Sequence, residues 1–154
     1  MRLLRALGTA VATVAVAVTS AAVPVAADAA PPARQHGNVH FDQIRYRPLD
    51  DRGVNGQWVK LTNDRHYTVD LRGWTLDERH DRRHFVLPEH RLRPGASVWI
   101  YSGRGHDSGA NIYLGSRGYV WRWNGDTATL RNAHHTRIDT CSWNRTGDGI
   151  THCS

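Results

Sequence analysis

Trp58-Val59-Lys60-Leu61-Thr62-Asn63 decides how the rest of this chain is read. Val59 and Leu61 fall on one face of an extended segment, Lys60 and Thr62 on the other, which is the period-two pattern of a strand with one buried side. The same grammar returns on the C-terminal side. Residues 69–76 carry Leu71, Trp74 and Leu76, and residues 92–101 run through a Pro94-Gly95 turn into Val98 and Ile100, alternating with Trp99 and Tyr101. Pro-Gly suits a tight turn with glycine at positive φ. Only the extreme N-terminus is apolar over a longer stretch, so helical periodicity does not organise the domain.

Outward from this core, Val39-His40-Phe41 and Ile44-Arg45-Tyr46 alternate but slip phase between Phe41 and Ile44, which predicts a β-bulge. Residues 48–56 read as a turn-rich loop, residues 77–83 as a charged, solvent-facing hairpin loop, and residues 102–111 as a long Gly-rich loop. Tyr119-Val120-Trp121-Arg122-Trp123, Thr127-Ala128-Thr129-Leu130 and Ile138-Asp139-Thr140-Cys141 complete an expected all-β sandwich of about eight strands.

Residues 1–29 read as a signal peptide: Arg2 and Arg5 precede an apolar run, and small residues follow. Cleavage after Ala27 or Ala29 fits, the second slightly better. A membrane anchor is the competing reading, but the apolar run is shorter than the ~20 residues a bilayer needs. Residues 30–38 then form a flexible lead-in, 39–143 the sandwich and 144–154 a C-terminal tail. The expected location is extracellular. In an exported chain the default for Cys141 and Cys153 is a disulfide, an intermolecular bridge or a metal pair being the alternatives.

The formal net charge is +6, and Lys60 is the only lysine among 20 basic residues. Arginine binds phosphate and carboxylate through a planar fork that lysine lacks, although a soluble charged surface is the simpler account. Arg82, Arg83, Arg104, Arg117 and Arg122 lie in or beside the expected loops and are the candidate contacts for an anionic polymer such as nucleic acid. Trp99, Tyr101, Trp121 and Trp123, with Tyr113 and Tyr119 nearby, are a candidate aromatic platform for sugars or bases; closing the core is the alternative role.

Chemistry is weakly encoded. His80 and His84 in Asp77-Glu78-Arg79-His80-Asp81-Arg82-Arg83-His84 could hold a metal or move a proton, yet in a hairpin they need not converge, and the arginines repel a cation. His134-His135 with Asp139 is half of a triad without a nucleophile turn. Gly103-Arg104-Gly105 and Gly115-Ser116-Arg117-Gly118 lack the following helix of a phosphate loop. No cofactor, metal or catalytic residue is expected.

The order of elements resembles the lamin tail domain family over residues 39–143. Four pieces carry the likeness: Trp58-Val59-Lys60-Leu61-Thr62-Asn63, Leu71-Arg72-Gly73-Trp74-Thr75-Leu76, the Leu92-Arg93-Pro94-Gly95 turn with its following strand, and Asn124-Gly125-Asp126-Thr127-Ala128-Thr129-Leu130. The resemblance implies an immunoglobulin-like β-sandwich and a non-catalytic interaction or scaffold module. No heptads for filament assembly accompany it. The expected partner is an extracellular anionic polymer or, as the alternative, a cell-wall glycan bound by a carbohydrate-binding module; a small hydrolase is the third reading. The chain is expected to be a monomer.

Overall fold

The computed structural model describes residues 38–48, 51–145 and 147–153. The signal-peptide reading and most of the lead-in lie outside these residues. Eleven strands run through them: β1 (Val39–Arg45), β2 (Trp58–Asn63), β3 (Val69–Asp70), β4 (Thr75–Glu78), β5 (Arg83–Val86), β6 (Arg91–Leu92), β7 (Ser97–Tyr101), β8 (Asn111–Tyr113), β9 (Gly125–Arg131), β10 (Arg137–Asn144) and β11 (Ile150–His152). Among the described residues the only helical turn is a 3-10 segment at Gly53–Gly56.

Strands β11, β1, β2, β7 and β8 form a five-stranded sheet, β10, β9, β4 and β5 a four-stranded one, and β3 pairs with β6. All pairings are antiparallel except that of β7 with β8. The core collects alternate residues of both sheets. Phe41, Ile44, Val59, Leu61, Val98, Ile100 and Ile112 come from the first, and Leu76, Ala128, Leu130 and Cys141 from the second. Each large aliphatic side chain so buried contributes ~1.5–3 kcal/mol, and shifting a strand by one residue would turn its apolar set outward.

The predicted bulge is present: the β1–β2 register shifts between Phe41 and Gln43. The Phe41 N–H donates to Asp139 Oδ2 on β10 at 2.8 Å, a bond that crosses from one sheet to the other. The 94–95 turn also forms as expected, with Gly95 at φ 70° and the Ala96 N–H bonded to the Arg93 carbonyl at 3.1 Å.

Three expectations are corrected. The count of eight strands is low because β3, β6, β8 and β11 have only two or three residues, too few for a period-two signal. Residues 119–123 are not a strand; side chains from elsewhere satisfy their backbone. Residues 77–83 are not wholly solvent-facing, since Asp77 and Glu78 belong to β4 and Glu78 is 1% exposed.

Cys141 on β10 is bonded to Cys153, just past β11, with Cα atoms 5.5 Å apart. Because β10 and β11 belong to different sheets, the bridge closes one side of the sandwich covalently.

Candidate functional site

The outer face of the five-stranded sheet is built by the side chains that the core leaves over. Arg45 pairs with Trp58, Trp58 with Tyr101, and Tyr101 with Tyr113 in the register of β1, β2, β7 and β8, so one row across the sheet reads Arg-Trp-Tyr-Tyr. Lys60 and Trp99 stand in the next row. The rings pack on one another and on the cations. Tyr101 stacks on Tyr113 at 5.2 Å, Arg45 lies 5.6 Å from the Trp58 ring, and Lys60 lies 5.4 Å from that of Trp99. Lys60 also pairs with Asp42 at 2.6 Å. All four aromatic residues are part-exposed.

Beside this face, Arg45, Arg52, Trp58, Trp99 and Tyr101 line a depression of about 250 Å³. Arg52 also lines a neighbouring cleft of about 560 Å³ with Asn55, Arg104 and Arg117. Arg52 thus lines both. Asn55 positions the Arg104 loop: its Oδ1 accepts the Gly103 N–H at 2.8 Å and its Nδ2 donates to the Arg104 carbonyl at 2.9 Å. A Cβ on residue 103 would stand 2.5 Å from that Oδ1, so only glycine permits the contact. Arg83 Nη1 donates to Ser116 Oγ at 3.3 Å, at the cleft's rim.

The structure divides the arginines predicted as one set. Arg104 and Arg117 share a cleft, and Arg83 reaches its edge. Arg82 lines a different cleft, with Arg79, His80 and Trp143. Arg122 Nη2 bonds Asp81 Oδ1 at 2.8 Å, and that contact holds the Asp81 carboxyl below its usual range. Arg45 and Arg52, absent from the predicted set, are the ones beside the aromatics.

The predicted aromatic platform also divides. Trp99 and Tyr101 stand on the sheet face as expected, joined by Trp58 and Tyr113. Trp121 cannot serve there: it is 1% exposed and packs edge-on against Trp143, which stacks on Tyr46 at 5.2 Å. Trp123 is half-exposed, but it sits in a separate segment beside Tyr119. Alternation assigned both tryptophans to a strand that does not form.

Gln57 explains that segment. Fully buried, it donates from Nε2 to the carbonyls of Tyr46 and Trp121 at 2.6 and 2.7 Å, and accepts at Oε1 from the N–H groups of Val120 and Trp121 at 2.8 and 3.1 Å. Its amide replaces a strand partner. Asp126 extends the clamp by accepting the Arg122 and Thr127 N–H groups at 3.2 and 2.7 Å, while Trp143 Nε1 donates to the Arg122 carbonyl at 2.7 Å. Burial, and secondarily a hydrogen bond with Glu78, pushes the Asp126 carboxyl up to about 6. Glu78 in turn accepts the N–H groups of His80 and Asp81, at 2.5 and 2.8 Å. The two acidic side chains thus hold adjoining loops.

The histidine candidates do not converge. His84 Nδ1 meets Asp77 Oδ1 across β4 and β5 at 2.6 Å, with Arg131 on the other oxygen at 3.1 Å, while His80 lies exposed in the turn. His134 and His135 occupy the turn before β10, and Asp139 binds the backbone of Phe41 and Thr140. Among the described residues no cluster of three or more His, Cys, Asp or Glu side chains is placed to hold a metal ion.

Two packed, mainly antiparallel sheets with a decorated outer face define an immunoglobulin-like β-sandwich module. The lamin tail domain profile matches residues 32–145, and the chain belongs to that family. Lamin tail domains are generally non-catalytic modules. Comparison with curated proteins yields no match.

Proposed function

We propose that this lamin tail domain is an exported, non-catalytic interaction module that holds an extended anionic polymer against the outer face of its five-stranded sheet. The observation that carries this reading is that Arg52 lines both the Arg45-Trp58-Trp99-Tyr101 depression and the Arg104-Arg117 cleft, so aromatic faces and arginines neighbour one another. Such a surface offers π-faces for rings along a strand and guanidinium forks for its charges, the combination that single-stranded nucleic acid requires. It supplies no recognition helix, so binding is independent of base sequence.

The test is titration of labelled single-stranded DNA and of heparin at about 50 and 200 mM salt. With Arg52, Arg104 and Arg117 as phosphate contacts, the logarithm of affinity for single strands falls against the logarithm of salt with a slope of about −2. Arg104→Ala/Arg117→Ala reduces the magnitude of that slope by roughly 1.4. Trp99→Ser weakens binding with the slope unchanged. Affinity indifferent to salt and to all these substitutions would remove the proposal.

Export belongs to the same reading, supported by the charged and apolar N-terminal pattern and by the disulfide. Intact mass of the protein from culture medium should correspond to a chain starting near Ala30. A retained 1–29 segment would favour the anchor.

A further inference from the structure

A second set of aromatics, Tyr119, Trp121 and Trp123, lines with Asp81, Arg122 and Asn124 an open cleft of about 400 Å³. Tyr119 and Trp123 are 45% and 49% exposed, and they stand side by side. Their rings are 5.9 Å apart and inclined by 58°, so they flank the cleft at an angle rather than stacking shut. Arg47 lies 5.7 Å from the indole ring of Trp123 and helps to fix it.

The backbone between these rings is held unusually firmly for a segment outside any strand. Gln57 binds residues 120 and 121, and Asp126 and Trp143 bind residue 122. Two large rings are therefore displayed on a fixed frame, an arrangement that limits the ordering cost of binding. Between them the polar groups come as a neutralised pair. The Arg122–Asp81 contact at 2.8 Å cancels charge within the cleft while leaving both a donor fork and carboxylate acceptors beside the rings.

We propose that this cleft is a binding site for a neutral sugar ring. The C–H face of a pyranose packs against the electron-rich face of an aromatic ring, whose quadrupole favours positive edges over its centre. Vicinal hydroxyls each donate and accept, which matches a guanidinium beside a carboxylate. An anionic ligand is disfavoured because Asp81 already satisfies Arg122 and repels a second negative charge. The volume lies within the ~300–1,000 Å³ of small-ligand sites and suits one or two sugar units.

The test uses the disulfide-bonded chain and neutral tetrasaccharides of glucose and of N-acetylglucosamine, titrated while following tryptophan fluorescence. At least one should give a saturable change that is indifferent to salt between about 50 and 200 mM, unlike polyanion binding. Trp123→Ala and Tyr119→Ala should each weaken it roughly tenfold or more. Both residues are surface side chains, and far-UV circular dichroism and the urea midpoint verify that the variants fold. Arg104→Ala/Arg117→Ala should leave sugar binding intact, which separates this site from the polymer-binding face. No saturable response up to about 10 mM sugar would overturn the proposal. So would binding that survives Trp123→Ala, or concentration-dependent dimerisation that Trp123→Ala abolishes; the latter would assign the patch to a second copy of the chain.

Discussion

Gln57 shows how much one amide can organise. Its four hydrogen bonds join β1, the entry to β2 and the 119–123 segment, and no water is needed to complete them. Gln57→Ala leaves two carbonyls and two N–H groups in a buried site and should lower stability by about 3 kcal/mol or more, measured by urea unfolding. Gln57→Glu should cost a similar amount, because a carboxylate cannot donate to Tyr46 and Trp121. Nothing in the sequence marks this residue: a glutamine before a strand reads as a solvated side chain until the fold places it against residue 121.

Asp126 is the titrating counterpart. Its carboxyl rises from 3.8 to about 6 on folding, so the native chain holds the proton more tightly than the unfolded chain. The stability linked to this proton is fully present below about 3.8 and is lost as pH climbs through about 6. Asp81, lowered by Arg122, contributes in the opposite direction, and its contribution is lost as pH falls. The informative readout is therefore a difference. Asp126→Asn keeps one acceptor oxygen in place of two, loses one of the bonds from the Arg122 and Thr127 N–H groups, and can donate from Nδ2 to Glu78. It should gain stability over the native chain as pH is raised from 4 to 7, with thermal midpoints at stepped pH as the check. A constant offset across that range would mean that Asp126 does not titrate there.

At the level of elements, strands with a regularly alternating core face and five or more residues are legible. In β2, β7 and β9 apolar and polar residues alternate as the pleat requires. Legibility failed where pairing partners lie far off in the chain. β11 is three residues, none of them strongly apolar except Ile150, and becomes a strand only because β1 offers it an edge. Glu78 hid inside a charge run, since composition cannot tell which one of eight polar residues points inward. The aromatic face was legible in part: alternation in β7 separates Trp99 and Tyr101 from Val98 and Ile100, whereas Trp58, Tyr113 and Arg45 join them only through register. Leu61→Ala, at the centre of β2, should cost about 2–5 kcal/mol by urea unfolding. Lys60→Ala, one residue away on the outer face, should cost under ~1 kcal/mol.

Across the whole molecule, the two proposed surfaces differ in physical character. One is cationic and elongated, so its affinity responds to salt. The other is bordered by rings and has its Arg122 paired with Asp81, so its affinity for a neutral sugar does not. A ligand that carries both neutral sugar units and anionic groups would show salt dependence removed by the arginine substitutions and a residual affinity removed by Trp123→Ala.

The disulfide has a mechanical consequence. Tension applied at the C-terminus enters the fold at Cys153 and, instead of peeling β11 from β1 pair by pair, passes through the sulfurs into β10, the eight-residue strand paired along its length with β9. The span between the cysteines, twelve positions apart in sequence, stays slack under load. Reduction should add about 35 Å of contour length to single-molecule extension traces, the reach of that span less the distance already bridged. It should also turn one abrupt rupture into an early, low-force release of the terminal strand, so that this end of the domain grips or yields according to the redox state of its surroundings.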